Sequence, residues 1–425
     1  MKQIDPIYIG SDAADRLVTF CKGRRVSSVT LICDKNTRLA AGARVAESLR
    51  THGIDVAVVE LSGEEIVADA DYLLHVFLQS PVDERLFVAV GSGTLTDITR
   101  FVSHRSRQQF VSVPTAASVD GFASIGAPLV VRGIKETHIC HAPLAIFADL
   151  DVLESAPAPL RASGFGDIVG KITSVADWKL GRLLWNEPFD EEIAARTTRA
   201  FTTTGAAAKE IGAGESGGLR VLMESLIETG LCMLEFGTSR PASGAEHHVS
   251  HYLEMMLLRE ERPAVLHGAK VGAATVQIAA LYEHIRGLSA KEAASRLAEG
   301  PHVSREEEIS RIRKLYPHSA DGVIAAHLPF LDLSKADRRE LTRAIEENWA
   351  NIQEIAAAVP PAQQIRQSLA DAGAATSLTS LGFSREEVQT AIRSGHYLRN
   401  RFTVVKLARL LGIDPAIGLE AGRDA

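Results

Sequence analysis

The 425-residue sequence is 46% hydrophobic and 23% charged, and it contains 33 glycines and 16 prolines. This composition is typical of a globular protein and excludes a disordered, collagen-like or disulfide-stabilised chain. The 46 lysines and arginines against 53 aspartates and glutamates give a net charge of −7, so no overall field would attract nucleic acid or an anionic membrane. The length predicts two or three domains of roughly 150 residues each.

The four cysteines are far apart and form no C-x-x-C pair or zinc-knuckle spacing; they are Cys21, Cys33, Cys140 and Cys232. This usage is typical of reduced thiols in a reducing compartment. The N-terminus lacks the apolar core of a signal peptide, and the longest apolar stretches, such as 271–282, are too short and polar to span a bilayer. We therefore expect a cytoplasmic protein that binds no nucleic acid and does not insert into a membrane.

The first part of the chain alternates short β-branched runs with helical stretches. The predicted strands cover 28–33, 56–61, 86–90 and 110–113, and the predicted helices between them cover about 37–52, 64–79 and 97–106. Continuous apolar strands separated by helices indicate a parallel sheet covered on both faces, with ligands at the carboxyl ends of its strands. Two further extended runs, 128–131 and 144–148, predict a hairpin or a return to the sheet.

Helical periodicity dominates after about residue 159. The predicted helices cover 166–184, 219–236, 246–258, 269–288, 304–315 and 335–357, and a last one covers about 402–411. Ser384 to Glu387 forms a candidate capping box within the last segment. We predict three domains: an α/β dinucleotide-binding domain over 1–160, an all-α metal- and substrate-binding domain over 161–359, and a small helical extension over 360–425.

A glycine-rich turn, Gly91-Ser92-Gly93, leads from a predicted strand into the stretch that ends at Asp97. Two glycines let a backbone approach a pyrophosphate closely, and the N-terminus of the next helix offers free N–H groups and a positive dipole. Thr96 stands where the usual dinucleotide fingerprint has its third glycine. A tight turn with no ligand is the alternative.

Two other polar segments follow predicted strands. Asp34 follows the predicted strand 28–33. A carboxylate at this position can bind ribose hydroxyls or cap the next helix. The adjacent Lys35 leaves the choice between NAD and NADP open. The segment 113–124 is rich in small and hydroxyl residues, with Thr115, Ser118 and Ser124 as possible donors and Asp120 as acceptor. By itself this segment is only a loop.

The helical half contains candidate metal ligands near predicted helix starts. Asp167, His247 and His267 are too far apart in sequence for a zinc finger but suit a site assembled from several helices, with positions left open for catalysis. His251 lies four residues after His247, on the same helical face. In the alternative interpretation Asp167 is a helix cap, His248 a solvated neighbour, and His251 or His267 a histidine of the core.

Together these motifs closely resemble the glycerol-1-phosphate dehydrogenase family. The matching segments are GSGTLTD (91–97), SVPTAASVDG (112–121), GFGD (164–167), SRPASGAEH (239–247) and LHG (266–268), and the tail at 392–394 and 400–403 is similar to the family's bacterial branch. The family belongs to the metal-dependent polyol dehydrogenases and dehydroquinate synthases. The resemblance implies a Rossmann-like α/β domain and a dehydroquinate synthase-like helical domain. It also implies NAD(H)- or NADP(H)-dependent, reversible reduction of dihydroxyacetone phosphate to sn-glycerol 1-phosphate, one divalent metal (zinc, nickel or iron), and a homodimer.

The resemblance also implies roles for individual residues. Asp167, His247 and His267 would bind the metal; Asp120, Asp167 and His251 would contact the small phosphorylated substrate; and the cofactor would be bound by Gly93, Thr94, Leu95, Thr96, Asp97, Thr115, Ala116, Ala117, Ser118 and Ser124, with Asp34 at its ribose. Asp120 and His251 are the catalytic candidates. His247 is preferred over His248 as the ligand because it follows Glu246, as the family's ligand does, and shares a face with His251.

This chemistry suits the residues. A divalent ion would act as a Lewis acid on the C2 carbonyl while hydride arrives from the nicotinamide. His251, with an ordinary pKa of about 6.5, would donate or relay the proton, and Asp120 would orient the substrate or the relay. Donors for the substrate phosphate are expected in the loop 239–244, which includes Arg240.

Three other functions are alternatives to this reaction. The same scaffold could act on glycerol or on another phosphorylated or phosphonate carbonyl compound. A lyase similar to dehydroquinate synthase would oxidise and re-reduce NAD within one turnover, with no net change in nicotinamide absorbance. A non-catalytic metal- or nucleotide-binding protein is disfavoured by the intact set of Asp167, His247, His251 and His267.

Overall fold

The computed structural model describes residues 4–131, 134–299 and 304–419. The chain forms two compact units, one comprising Met1–Ile168 and Thr202–Gly237 and the other Val169–Phe201 and Thr238–Ala425. This division differs from the predicted domains, because a helical hairpin beyond residue 200 joins the α/β unit and the C-terminal segment belongs to the second unit.

The first unit is built on a six-stranded parallel sheet in the order β1-β8-β5-β4-β2-β3. Its strands are β1 (Ile7–Gly10), β2 (Ser28–Asp34), β3 (Asp55–Leu61), β4 (Leu86–Gly91), β5 (Phe110–Pro114) and β8 (Ile146–Asp149). The chain runs from β2 outward to β3 and then returns to the other side of β2 as β4. The sheet therefore has a topological switch point between β2 and β4, where open α/β sheets bind their ligands.

The helices follow in chain order. They are α1 (Ala13–Gly23), α2 (Lys35–Thr37), α3 (Ala43–Thr51), α4 (Ala70–Gln79), α5 (Gly93–Arg105), α6 (Leu150–Ser155), α7 (Ala158–Val169), α8 (Lys171–Trp185), α9 (Glu191–Ala206), α10 (Ala208–Ala213), α11 (Ser216–Phe236), α12 (Ala245–Arg259), α13 (His267–Gly287), α14 (Ala290–Glu299), α15 (Arg305–Leu315), α16 (Ala320–Leu331), α17 (Lys335–Glu347), α18 (Trp349–Ala357), α19 (Ala362–Asp371), α20 (Arg385–Ser394) and α21 (Val404–Leu410). A π-helical stretch (Arg38–Gly42) precedes α3, and 3₁₀ turns include Gly121–Ala123, Arg240–Ala242 and Gly395–Leu398.

Two apolar cores cover the two faces of the sheet. One contains Leu17 of α1 and Leu49 of α3 against strand residues such as Val88, and the other contains Val76 of α4 and Ile98 of α5. Burial on both faces explains the continuous apolar runs that identify the strands in the sequence. The predicted α/β class, with a parallel sheet followed by a helical region, is confirmed.

The two extended runs beyond residue 127 belong to different sheets. The first forms β6 (Gly126–Val131), which pairs antiparallel with β7 (Ile134–Ile139) in a separate two-stranded sheet. The second forms β8, which returns to the main sheet between β5 and β1. β1 itself is missing from the predicted elements, because four residues after a proline carry too little periodicity to indicate a strand.

Several predicted helices differ at their ends for local reasons. The stretch 64–79 becomes helical only at Ala70, where the Asp69 side chain accepts hydrogen bonds from the first-turn N–H groups of Asp71 and Tyr72. The stretch 335–357 is divided at Asn348 into α17 and α18. The capping box predicted at Ser384 and Glu387 is present at the start of α20.

In the described segments, 4–131, 134–299 and 304–419, no helix combines the length and the apolar character needed to cross a membrane.

Candidate active site

The two segments predicted to bind the cofactor lie side by side at the carboxyl ends of β4 and β5. Gly91 is the register partner of Pro114, and the Thr115 N–H donates to the Gly91 carbonyl at 3.2 Å. This position adjoins the switch point between β2 and β4. The sheet thus brings together the glycine turn and the hydroxyl-rich loop, which are more than twenty residues apart in the sequence.

The glycine turn presents the N-terminus of α5. The helix begins at Gly93, and the N-cap residue Ser92 makes no side-chain capping bond, so the first-turn N–H groups can serve a ligand. A Cβ atom at Gly93 would approach Val119 Cγ2 to 3.0 Å, which explains the absence of a side chain there. The Leu95 and Thr96 side chains are buried. Among the predicted cofactor residues, these two could therefore contribute only through their backbone.

Arg100 holds the loop that carries Asp120 and Ser124. Its guanidinium is fully buried and donates to the carbonyls of Gly121 (2.6 Å) and Gly126 (2.8 Å), and to Asp97 Oδ1 (2.6 Å). Burial raises the pKa of Asp97 to about 7, and the nearby cations offset this only in part. Arg100 was not among the sequence candidates, although its place three residues after Asp97, on the same helical face, was an available signal.

Asp34 lies at the carboxyl end of β2 and caps α2. Its Oδ1 accepts the Thr37 N–H at 2.8 Å, and the Thr37 hydroxyl accepts the Asp34 N–H at 2.9 Å, which completes a capping box. The helix-cap interpretation is therefore realised. The position is also next to the switch point, so a ribose contact remains a prediction.

The loop 115–120 packs against α7, the helix that carries Asp167. Asp167 Oδ2 accepts the backbone N–H of Asp120 at 3.0 Å, and the Ser163 hydroxyl donates to the Ser118 carbonyl at 3.2 Å. A Cβ atom at Gly164 would lie only 2.0 Å from the Ala117 carbonyl oxygen. The glycine at 164 is thus needed for the close approach that places Asp167 beside the loop 115–120. Thr115, Ala116, Ala117, Ser118 and Ser124 are all buried in this region.

The second unit brings three histidines together. The ring centroids of His247 and His251, on one face of α12, are 6.1 Å apart, and His267, the first residue of α13, lies 5.3 Å and 5.5 Å from them. Close packing of α12 on α13 joins residues that are twenty positions apart in sequence. The predicted clustering of these imidazoles is therefore observed.

A buried carboxylate orients His247. Glu246 is fully buried, and its Oε1 lies 2.7 Å from His247 Nδ1. The same carboxylate accepts the Gly244 N–H (2.7 Å) and the hydroxyls of Thr173 (2.7 Å) and Ser174 (3.1 Å). Burial alone would raise the pKa of Glu246, but these donors hold it below its usual range. With Nδ1 engaged by Glu246, Nε2 is the nitrogen of His247 that could ligate a metal ion.

Asp177 supports the start of the same helix. Its carboxylate accepts the N–H groups of Ala245 and Val404, each at 2.7 Å, and the Tyr282 hydroxyl at 2.7 Å. Burial, and then repulsion by Glu246, raise the pKa of Asp177 to about 7. Asp177 and Glu246 were not identified from the sequence as functional. For Glu246 the adjacent histidine was a signal, but for Asp177 none was available.

His248 takes no part in the histidine cluster. It is buried, and in the described chain neither of its ring nitrogens has a hydrogen-bond partner. Burial lowers its pKa well below the ordinary value, so the ring is neutral at pH 7. The solvated position considered from the sequence is wrong for His248, because the 3₁₀ turn at Gly395 packs against its backbone.

Asp167, His247 and His267 form a group with the chemistry of a metal site. Each offers one ligand atom, and these atoms all lie within 4.8 Å of one another. One carboxylate and two imidazoles suit zinc, nickel or iron and leave positions for a substrate oxygen. The structure thus brings together the three residues proposed as ligands, and it places His247 rather than His248 among them.

The loop 239–244 is held by two arginines. Arg240 Nε lies 2.9 Å from Glu187 Oε2, and Arg401 donates to the Ser239 hydroxyl at 2.8 Å and to the Ser243 carbonyl. Burial, followed by repulsion from nearby arginines, lowers the pKa of Arg401 to about 9. The sequence indicated Arg240 but not Arg401, which is more than 150 positions away.

Comparison with known proteins identifies the family. The profile of the iron-containing alcohol dehydrogenases matches residues 8–157. A glycerol-1-phosphate dehydrogenase [NAD(P)+] from Geobacillus thermodenitrificans is 35% identical over 406 residues, which are 95% of this chain and 91% of that protein. The chain belongs to the glycerol-1-phosphate dehydrogenase family. A Bacillus subtilis protein of the same name is 41% identical over 67% of this chain and 73% of its own length. The resemblance inferred from the sequence motifs is thereby confirmed.

Solved structures support the fold of this glycerol-1-phosphate dehydrogenase family member. Glycerol dehydrogenase from Schizosaccharomyces pombe superposes with a TM-score of 0.62 at 16% identity, covering 99% of this chain and 92% of that one. At such low identity the similarity shows the fold alone. It agrees with an α/β unit that carries a parallel sheet, followed by a helical region.

Proposed function

We propose that this protein is a metal-dependent NAD(P)H dehydrogenase that reversibly reduces dihydroxyacetone phosphate to sn-glycerol 1-phosphate. The observation that carries the proposal is the near full-length similarity to glycerol-1-phosphate dehydrogenases, combined with the convergence of Asp167, His247 and His267. A non-catalytic binding protein would have no need for open metal positions beside a nicotinamide site, and a lyase would give no net change in nicotinamide absorbance. Net charge does not oppose a phosphorylated substrate, because positive potential is needed only at the site.

The metal is proposed to be held by Asp167, His247 and His267. The fit rests on the donor set and on Glu246, which holds His247 so that one nitrogen is presented to the ion. When bound, a divalent cation supplies positive charge that stabilises the oxyanion developing at C2 of the substrate. The Asp120 N–H donates to Asp167 Oδ2 and so helps to hold this carboxylate in place.

Proton transfer is assigned to His251 and Asp120. His251 lies on the same helical face as His247, with its ring stacked on that of His267 at 5.5 Å, so it faces the proposed substrate site. It is proposed to donate the proton that the C2 oxygen acquires in the reduction and to remove it in the oxidation. Asp120, whose backbone is fixed by Asp167, is proposed to orient the substrate or His251.

The cofactor is proposed to lie along the carboxyl ends of β4 and β5, where NADH or NADPH supplies the hydride. The first-turn N–H groups of α5 are proposed to bind the pyrophosphate, and the loop 115–118 with Ser124 the nicotinamide half. Asp34 is proposed to reach the ribose. The loop 239–244 is proposed to bind the substrate phosphate through its backbone and Arg240, whose side chain Glu187 holds in place.

Assembly as a homodimer in the cytoplasm is part of the proposal. α4 exposes an apolar strip in which Leu74 is 56% and Leu78 72% exposed, and Phe77 lies beside them. Exposed apolar patches of this kind mark protein interfaces. Light scattering should therefore give a dimer for the natural chain and a smaller mass for Leu78→Glu; a dimer in both would exclude this strip as the interface.

The proposed function is tested by metal dependence of the reaction. NADH oxidation with dihydroxyacetone phosphate is expected to stop after exhaustive chelation, to return when a divalent metal is added, and to be lost in His267→Ala. His284→Ala, a histidine change on the same helix, is the matched control and should keep activity. Activity that survives chelation would refute the metal mechanism, and turnover of dihydroxyacetone as fast as that of its phosphate would refute the substrate.

The phosphate assignment has its own test. Arg240→Ala is expected to raise the KM for dihydroxyacetone phosphate roughly tenfold, as expected for loss of one charge-assisted contact. The slow reaction with unphosphorylated dihydroxyacetone should stay unchanged. An unchanged KM for the phosphorylated substrate would exclude Arg240 from the phosphate site.

A further inference from the structure

A second cavity lies in the helical unit and shares no residue with the proposed active site. Its volume is about 360 Å³, and its walls come from α15, α16, α17, α20, α21, the 3₁₀ turn at 395–398, Phe402 and the segment 410–415. This volume is in the range of small-molecule sites. Of the segments that carry the family resemblance, only the C-terminal tail contributes to this cavity, through Arg393 and Phe402.

The lining is strongly cationic. Six cations line the cavity against two carboxylates, Glu308 and Asp414, although the whole chain has a net charge of −7. Three of the cations are paired: Arg305 with Asp332, Arg393 with Asp414 and Arg409 with Glu308. The other three, Arg311, Arg338 and Lys406, make no ion pair with any residue in the described segments. A concentration of uncompensated positive charge in a concave site favours an anionic ligand.

Lys406 is buried at the base of this cavity. It is 5% exposed, its Nζ donates to the Arg401 carbonyl at 2.7 Å, and it lies 3.5 Å from the centre of the Phe330 ring. Burial lowers its pKa well below the ordinary value. In the described segments no carboxylate forms an ion pair with Lys406, although Glu187, Asp177 and Glu308 act on it from further away. Burying an ammonium group without such a pair is costly, and an anion bound nearby would offset that cost.

Two histidines in the wall have unused hydrogen-bonding capacity. His327 is 4% and His396 3% exposed. Within the described chain, no partner is found for His327 Nδ1 or for either ring nitrogen of His396. Buried polar atoms are normally satisfied, so atoms left without a partner at a cavity wall point to a ligand. Burial and nearby cations lower the pKa of His327 to about 2, which keeps the ring neutral and able to donate one hydrogen bond.

The rest of the lining is apolar. It includes Phe330, Leu331, Leu333, Leu341, Phe402 and Ile413. Inorganic phosphate alone would leave this surface without a partner. The combination of a cationic rim, neutral imidazoles and an apolar floor matches a molecule with an anionic head and an apolar body.

We propose that this cavity, the basic C-terminal cavity, is a second ligand site that binds a small phosphate monoester with an apolar or aromatic body. Arg311 and Arg338 receive the phosphate at the mouth, and His327, His396 and the apolar floor contact the remainder. The proposal does not depend on the reaction assigned above, because the active-site residues and the cavity residues are separate sets.

Phenyl phosphate is the probe, titrated into the full-length protein by calorimetry. We expect it to bind at least about tenfold more tightly than inorganic phosphate or phenol, since each of these reproduces only one half of the lining. Binding of inorganic phosphate with equal affinity would overturn the role of the apolar floor. Equal affinity for phenylacetate would overturn the preference for phosphate.

Matched double variants locate the site. Arg311→Gln with Arg338→Gln should lower the phenyl phosphate affinity about tenfold or more. Arg313→Gln with Arg339→Gln removes the same charge from the same two helices outside the cavity and should leave the affinity unchanged. Both variants should retain the kcat/KM for NADH oxidation. Equal losses in the two variants, or no binding by the natural chain at millimolar phenyl phosphate, would overturn the proposal.

Discussion

Replacing Glu246 by glutamine tests how the metal site is held. The carboxylate is fully buried and accepts four donors at 2.7 to 3.1 Å, including His247 Nδ1 at 2.7 Å. A glutamine amide keeps one oxygen and turns an NH2 group toward some of the same donors. His247 then loses a charged partner that fixes its orientation.

The expected loss follows from these contacts. Removing a partner that orients a metal-bound histidine lowers the metal affinity about 10- to 100-fold. That loss corresponds to about 1.4 to 2.7 kcal/mol of metal-binding free energy. The variant should also lose one hydrogen bond to the charged carboxylate, which is expected to lower the unfolding free energy by about 1.5 to 3 kcal/mol.

The assay is competition for zinc with a chromogenic chelator, together with urea unfolding of the metal-free protein. Glu260→Gln is the matched control, because Glu260 follows the last turn of the same helix and is exposed. The control should bind zinc like the natural chain. A folded Glu246→Gln protein with unchanged zinc affinity would refute the role assigned to Glu246.

Three other predictions concern stability. Gly164→Ala should lower the unfolding free energy by about 1 to 3 kcal/mol, because its Cβ would lie 2.0 Å from the Ala117 oxygen. Gly205→Ala is the control: its Cβ would meet nothing within 4 Å, and the change should raise the unfolding free energy by up to about 1 kcal/mol. Arg100→Met should cost about 3 to 5 kcal/mol, because it strips a buried ion pair of one partner. In the folded chain the pKa of His327 is lowered to about 2, whereas in the unfolded chain it has its ordinary value of about 6.5. Between these two pH values only the unfolded state binds the proton. The unfolding free energy is therefore highest above pH ~6.5 and falls as the pH drops toward 2. His327→Phe should therefore flatten the slope of unfolding free energy against pH below 6.5 by up to about 1.4 kcal/mol per pH unit.

Urea titration at fixed pH values measures all three. Arg105→Met, an exposed change at the end of the same helix, and His318→Gln, an exposed histidine, are the respective controls for Arg100 and His327. Equal stability of Gly164→Ala and Gly205→Ala would contradict the close contact of α7 with the loop 115–120. An Arg100→Met protein as stable as Arg105→Met would contradict the ion-pair argument. An unchanged slope in His327→Phe would contradict the neutral, buried state of that ring.

The order of strands and helices could be read from the sequence because β2, β4 and β5 are buried on both faces and give continuous apolar runs. β1 could not, since its four residues gain stability only by pairing with β8, which lies more than 130 residues further along the chain. The same limit applies to functional residues. Asp167, His247 and His267 belong to recognisable motifs, whereas the hydroxyls of Thr173 and Ser174 become partners of Glu246 only through folding.

Asp34 shows where a local pattern supports two functions. A carboxylate between a strand and a helix can cap the helix or bind a ribose, and the sequence alone does not distinguish them. The capping box with Thr37 shows that the first role is realised in the folded chain. Arg401 illustrates the opposite case, because its contact with the loop 239–244 leaves no local pattern at all.

The stereochemistry of the product tests the central claim most directly. The purified, metal-loaded protein would be incubated with dihydroxyacetone phosphate and NADH, and the glycerol phosphate formed would be offered to an enzyme that oxidises only the sn-3-phosphate enantiomer. Our account predicts that NADH is consumed and that none of the product is oxidised in the second step. Complete oxidation of the product, or no consumption of NADH, would contradict it.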